Sequence, residues 1–562
     1  MTIKDYNKLG TARLEKGEYD EAISEFTKAI LSILPSFADA HYKRSLAYCH
    51  KGEYDKAIAD ATRAIEANPN YAEAYYNRGF AYQRKEQYEP AIDDFGKAIE
   101  LNPSYAKAYY HRGIAYRNQG EYEMAIIDFS RTISLNTASF EAYYHRAITY
   151  HNTGEYDLAI ADATKALQIN PNYAEAYYSR SIAYQRKEQH ELAIADFSKA
   201  VELNPHYAEG YRNRGIAYCD KEEYQLAISD FNKAIGLAHN DARTYYYRSL
   251  AYRKMGEIDK AIADDTRAIK INPDYAEAYC SRGIAYQGKE QYELAIDDFS
   301  KAIDIDPKNA EAYCQRGIAH RNREEYEPAI TDLTTAIELD PDCAEAYYHR
   351  GFAYHSKGEY DLALDDFSRT IELNPEMTEA YYDRGLIYYL GHKYEPAIDN
   401  LSKAIELNPD MDVAYYARGI AHFTKKDYEP ALADLSKAIE LNPDMAVAYY
   451  RRGITYRTRG EYDLAIDDFN KTIKMRPKDT NAYSERSIAY RNKKELDLAI
   501  ADLTKTIELE PNSASAHYMR ALVYKDKKKY DLAIADFQKV TFLTQDPGLV
   551  ATVKQEIQNL GG

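Results

Sequence analysis

Arginine recurs every 34 residues along this chain, at Arg44, Arg78, Arg112, Arg146 and onward to Arg520. An aspartate follows each of these by 16 residues, at Asp60, Asp94, Asp128, Asp162 and onward to Asp536, with Asn400 as the one replacement in the series. The first stretch of the chain has Leu9 and Glu25 at these places. A guanidinium fork matches a carboxylate in a bidentate manner, so the spacing predicts a ladder of arginine–aspartate pairs, formed within a repeat or from one repeat to the next. The rival reading is two solvated faces of common ancestry. Reactive chemistry finds no comparable pattern. His190-Glu191 lacks the second histidine of a zinc protease motif, and no phosphate-binding glycine loop occurs. The 14 histidines and 5 cysteines are scattered over repeat positions, and acid pairs such as Asp93-Asp94 and Asp467-Asp468 recur with the pattern as a solvated face would. The reading is a non-enzyme with no cofactor and no metal.

The elements that carry the ladder are set by the same period. Let Ala72 be position 1 of the stretch Ala72–Tyr105; further copies begin at Ala106, Phe140, Ala174, Ala208 and Ala242. Tyr75, Phe80, Ala81 and Tyr82 suit one helix of about 14 residues. The polar link Arg84-Lys85-Glu86-Gln87 follows, and then Ala91, Ile92, Phe95, Ala98, Ile99 and Leu101 at helical spacing. Pro90 stands near the second helix's start, where its missing N–H costs nothing, and Asn102-Pro103 ends it. Position 20 is alanine in every copy, position 8 is always small, and position 24 is usually large, as Phe26, Phe95, Phe129 and Leu333 show. A small residue on each helix lets two backbones approach, and neither helix buries its apolar face alone. The expected fold is all-α, an array of helical hairpins.

Tyr75, Gly79, Tyr82, Ala91, Phe95, Ala98 and Pro103 stand where the tetratricopeptide repeat has its aromatic, Gly, Tyr, Ala, Phe, Ala and Pro, at the same 34-residue period. The chain therefore resembles a tetratricopeptide repeat (TPR) protein over residues 3–547. Sel1-like repeats, the nearest competitor, are longer and less regular. The resemblance implies a superhelical α-solenoid of about 16 repeats. Residues 3–37 form an atypical first repeat with an extra residue before Pro35, and 344–547 hold six further repeats. Residues 38–343 read as three blocks of three, since Ala61, Ala163 and Asp265 share position 24 at 102-residue spacing. Asp265 falls at a core position, so it is either paired or its hairpin is looser. Residues 548–562 read as a capping helix with Leu549, Val553, Ile557 and Leu560 on one stripe, and a partner-binding amphipathic helix is the alternative.

In this family first helices line a concave groove. The resemblance places positions 2, 5, 9, 12 and 13 there. The candidate peptide-binding residues are Tyr76, Gln83, Arg84, Tyr110, Arg117, Asn118, Tyr144, His151, Asn152, Tyr178, Gln185 and Arg186. Tyrosine and arginine together make a hot-spot composition. Arg84, Arg117 and Arg186 favour an acidic partner segment, while position-2 glutamates such as Glu73 and Glu141 dilute them. Family members that clamp the carboxylate tails of the chaperones Hsp70/Hsp90 need asparagine at position 9, where this chain has Leu46, Phe80, Ile114 and Ile148, so no such clamp is expected and position 9 is read as packing.

A formal net charge of −18 argues against nucleic acid as a partner, because phosphate needs a basic face. Forty-five per cent hydrophobic residues with a mean hydropathy of −0.65 fit a folded, water-soluble chain without membrane insertion. The amino terminus has no apolar leader, and the odd number of cysteines without CxxC points to a reducing, cytoplasmic setting. Cys280 and Cys314 hold one position in adjacent repeats, too far apart to bridge, and the cysteines read as small apolar fillers. The leading function is a protein–protein interaction scaffold. A regulatory or substrate-targeting subunit of an enzyme complex and a self-assembling structural solenoid are the alternatives.

Overall fold

A computed structural model describes residues 3–31 and 38–561. Thirty-three helices and no strand form among them. The extra residue expected before Pro35 lies outside the described residues. The chain divides into two compact units, residues 1–285 and 286–562.

In the first unit the reference stretch folds as the helices Ala72–Arg84 and Tyr88–Leu101. Arg84, expected in the link, instead closes the first helix. The turn is made two residues on, where Glu86 takes φ +59°, and Gly120 and Gly154 take φ +84° and +82° at the same position of later repeats. Glycine accepts this left-handed turn freely, and a side chain there costs about 1 kcal/mol. Ala91, Phe95 and Ala98 are fully buried. A Cβ on Gly79 would stand 3.0 Å from the Phe95 ring and 3.1 Å from the Ala91 carbonyl oxygen, so the two helices meet with no room between them. Each second helix packs on the first helix of the next repeat, and Ala38–Lys51 also touches Ala72–Arg84. The first helices therefore form the inner face of the unit.

The arginine–aspartate pairs close within the repeat. In the first unit, from Arg44–Asp60 to Arg248–Asp264, Nε donates to one carboxylate oxygen and Nη2 to the other at 2.6–2.8 Å. The third nitrogen reaches back to position 25 on the second helix of the preceding repeat. Arg78 Nη1 donates to Thr62 Oγ1 at 3.1 Å, Arg146 to Ser130 at 2.7 Å and Arg180 to Thr164 at 2.9 Å. One guanidinium thus ties three helices of two repeats. Tyrosines cover its faces, with Tyr109 and Tyr116 at 5.7 and 5.8 Å from the Arg112 carbon. Burial pushes the Asp94 and Asp128 carboxyls above their ordinary range in spite of the arginine. At Asp60 burial is outweighed by Arg44 and a second partner, His41 at 3.2 Å, and the pKa falls. A pair whose desolvation outweighs its attraction does little for net stability, while breaking it by removing one partner is costly.

The second unit repeats these rules. Its bidentate pairs run from Arg316–Asp332 to Arg520–Asp536, with Arg350 Nη1 on Thr334 and Arg520 Nη1 on Thr504. Repeat twelve is the exception. Arg384 Nε finds Asn400 Oδ1 at 2.8 Å, and the amide nitrogen turns to the Pro396 carbonyl at 2.7 Å, leaving the carboxamide as a one-armed partner. Asn400→Asp is expected to restore the second arm and stabilise the hairpin Thr378–Leu390/Tyr394–Leu407 by about 1 kcal/mol, read as slower local hydrogen exchange. Helix Pro547–Asn559 ends the unit. Its Val553 is buried on Phe537 and Val540, with Leu549, Ile557 and Leu560 beside it.

Candidate functional site

The candidate residues all lie on first helices of the first unit, between Ala72 and Arg186. Their position-5 tyrosines are half-buried and already paired. Tyr76 packs on Tyr105 at 5.0 Å and on His111 at 5.7 Å between ring centres, and Tyr144 on Tyr173 at 4.9 Å. Tyr178 packs on Tyr207 at 4.8 Å, and its hydroxyl accepts from Asn213 Nδ2 at 2.6 Å. Burial pushes the Tyr110 and Tyr178 hydroxyls up to about 12. These rings are platform as much as contact. Tyr105, Tyr173 and Tyr207 at position 34, which the sequence reading passed over, complete it. Tyrosine stands at both positions in five repeats, from Tyr42 and Tyr71 to Tyr246 and Tyr275, while Tyr110 has Ser139 opposite it.

Position 12 reaches toward position 6 of the next repeat. Gln83 is spent on this, since its amide donates to the His111 carbonyl at 2.8 Å and its oxygen lies 2.9 Å from His111 Nδ1. Arg117 Nη1 donates to His145 Nδ1 at 2.8 Å and Nη2 to Asn118 Oδ1 at 3.3 Å. Burial, aided by the cations around them, holds His111 down to about 4 and His145 to about 3, so both rings are neutral at pH 7. A neutral acceptor does not discharge an arginine. Arg117 is half-buried, burial lowers its pKa, and it makes no ion pair among the described residues. Lys107 stands at position 2 of its repeat, where the neighbouring repeats carry Glu73 and Glu141.

The remaining candidates divide. Tyr144, His151 and Tyr178 come together around one recess of about 320 Å³, with Ile148, Ser179, Ile182 and Tyr207. The His151 Nε2 is buried without a hydrogen-bond partner, and burial lowers the ring's pKa. Ile148 and Ile182 are position-9 residues, expected only to pack, and here they also line the recess. Tyr76 and Tyr110 line a separate recess of about 350 Å³ with Lys107, His111 and Glu141. Arg84 is exposed and donates to the Tyr54 hydroxyl at 3.3 Å, and Gln185 donates to Asp220 at 3.2 Å. Asn118, Asn152 and Arg186 are exposed and line neither recess.

Family models described as tetratricopeptide repeat match residues 72–105, 106–136, 140–173, 276–309, 344–377, 378–411, 413–445 and 446–479. Further models of the repeat match 7–72, 485–549 and 174–207, and one described as TPR repeat matches 250–289 and 319–358. The chain belongs to the tetratricopeptide repeat family. Among solved structures it is similar to YrrB, described as a TPR protein with an unusual peptide-binding site, at 30% identity over 34% of this chain and 97% of that one, with a TM-score of 0.30. MamA is 32% identical over 29% of this chain and 96% of its own, with a TM-score of 0.28. A tetratricopeptide repeat protein from Parabacteroides merdae is 23% identical over 44% of this chain and 98% of its own, with a TM-score of 0.37. No curated protein matches.

TPR proteins bind peptides and other proteins. An uncompensated guanidinium takes an anionic group. The recess of Tyr144 and Tyr178 is mostly apolar, and Arg117 is not among the residues that line it. Among the described residues no cluster of His, Cys, Asp and Glu could hold a metal ion, and no helix is long and apolar enough to cross a membrane.

Proposed function

We propose that the chain is an interaction scaffold that holds an acidic peptide segment of a partner protein on the first-helix face of residues 72–207. The observation that carries this reading is Arg117, half-buried among Tyr110, Tyr144 and neutral His145 with no carboxylate to balance it. An aspartate or glutamate of the partner supplies that balance. An apolar neighbour of it enters the recess of Tyr144, Ile148, Tyr178 and Ile182.

Fluorescence anisotropy against a panel of labelled peptides, equal in length and differing in charge, tests it. Acidic peptides with an aliphatic or aromatic residue should bind, and salt should weaken them. Arg117→Ala should reduce their affinity about tenfold or more, the size of a charge-assisted hydrogen bond. Equal binding of acidic and neutral peptides, or an unchanged affinity in the variant, would sink the reading. Self-assembly, the second reading, has its own support in the exposed position-19 residues Met124, Leu158, Leu192 and Leu226 on successive second helices. Concentration-dependent sedimentation that Leu192→Glu abolishes would favour it.

A further inference from the structure

Repeat ten departs from its neighbours at one pair of positions. In repeats two, three, five, six and eight position 5 and position 34 hold two tyrosines, as Tyr76 and Tyr105 or Tyr178 and Tyr207, packed ring on ring at 5.0 and 4.8 Å. Repeat ten holds Cys314 and Cys343 there. The fold that presses the tyrosines together brings the two cysteines into one apolar cluster with Ile318, Leu333 and Ala346, and neither is in a disulfide. They differ in setting. Cys314 is buried in the helix Ala310–Asn322. Cys343 is half-buried, and it is the residue that caps the amino terminus of the helix Ala344–Lys357.

The settings divide the labour between the thiols. The neighbouring Cys314 thiol, against the opposing effect of burial, brings the Cys343 pKa down to about 6. Glu345 and Asp340 are the carboxylates that act on it, and both push the other way. The Cys314 thiol is pushed well above its ordinary range by its closeness to Cys343 and by burial. A thiolate with some access, beside a protonated second thiol, is the arrangement of an attacking and a resolving cysteine.

We propose that Cys343 and Cys314 form a thiol-oxidation site whose substrate is a small hydroperoxide. The Cys343 sulfur attacks the terminal peroxide oxygen. The O–O bond breaks, and the departing oxygen leaves as water or alcohol after taking a proton, while Cys343 becomes a sulfenic acid. The Cys314 sulfur then attacks the Cys343 sulfur, the S–O bond breaks, and a second water leaves with the Cys314 proton. Two electrons have passed from the two sulfurs to the peroxide, and a dithiol reductant returns them by exchange. The product disulfide staples the helix Ala310–Asn322 to the start of Ala344–Lys357. It fixes the inner face of the second unit at one junction of two repeats.

Differential alkylation of the full-length protein with mass spectrometry tests this. At pH 6.5 iodoacetamide should modify Cys343 more than about a hundredfold faster than Cys219, whose thiol burial pushes up to about 12, because the larger thiolate fraction is only partly offset by lower nucleophilicity. Brief hydrogen peroxide should convert 314 and 343 to an intramolecular disulfide, with Cys49, Cys219 and Cys280 still alkylated afterwards. Cys314→Ser should stop at a Cys343 sulfenic acid that dimedone traps. Cys343→Ser keeps a good helix cap and should leave Cys314 unreactive to peroxide. Equal alkylation of Cys343 and Cys219, or peroxide treatment that yields no 314–343 linkage in the wild type, would overturn the proposal, and both readings are made on the unmutated chain.

Discussion

At pH 8, replacing Asp265 with asparagine is expected to stabilise its hairpin by on the order of 4 kcal/mol, and near pH 4 the gain is expected to vanish. Asp265 occupies position 24, where Phe95 and Phe129 fill the core of other repeats, and no part of it reaches solvent. Ser249 donates to one of its oxygens, and the other is buried without a partner. Burial raises its pKa from 3.8 to about 7, with Asp264 adding to the rise and Ser249, Ser281 and Arg253 opposing it. The acid is thus neutral in the fold where the unfolded chain would already have ionised it. Its contribution is whole below about pH 4, and it is lost as pH rises through about 7. Asparagine keeps the shape without the proton equilibrium. Hydrogen exchange in Ala242–Lys254 and Ile258–Ile271, compared between variant and wild type at each pH, reads the difference. A variant effect that is the same at pH 4 and pH 8 would show that the carboxylate stays ionised.

Asp94→Ala is expected to cost about 3 kcal/mol in the hairpin Ala72–Arg84/Tyr88–Leu101, because it leaves the Arg78 guanidinium held by its arm to Thr62 alone. Arg78→Lys should also be costly, since an ammonium cannot span both oxygens of Asp94 and the Thr62 hydroxyl together. The double replacement Arg78→Met with Asp94→Leu should recover much of the loss, because no charge then remains to be desolvated. Chemical denaturation monitored by local exchange separates these cases. A double variant as damaged as Asp94→Ala would mean that the pair is a net electrostatic stabiliser, contrary to the raised pKa of Asp94.

The framework was legible because it is periodic. Alanine at position 20, a small residue at position 8 and the Asn-Pro stop repeat often enough to define both helices, and the 16-residue interval from Arg78 to Asp94 spans one turn of the hairpin. The third arm to Thr62, Ser130 or Thr164 was missed, although position 25 shows serine, threonine or asparagine in most copies. A pairing rule that looks only for opposite charge does not see hydroxyls. The candidate site was less legible for a different reason. Gln83 and Arg117 share position 12, yet one is satisfied by His111 and the other is left charged, and that depends on the protonation of a buried neighbour. Cys314 and Cys343 lie 29 residues apart, and only the Tyr76–Tyr105 contact of another repeat shows that these positions meet.

Gly96 has a consequence for how the array behaves under load. It is the position-25 residue of repeat three, so Arg112 Nη1 finds no hydroxyl there, and an added Cβ would stand 3.6 Å away. Every other rung of the first unit is bolted to the one before it. Pulled from its ends, the first unit should part at the seam between Tyr88–Leu101 and Ala106–Asn118, and Gly96→Ser should raise the force of that first event. The seam borders the recess of Tyr76 and Tyr110, so the weakest rivet of the unit sits beside one of the recesses of the first-helix face.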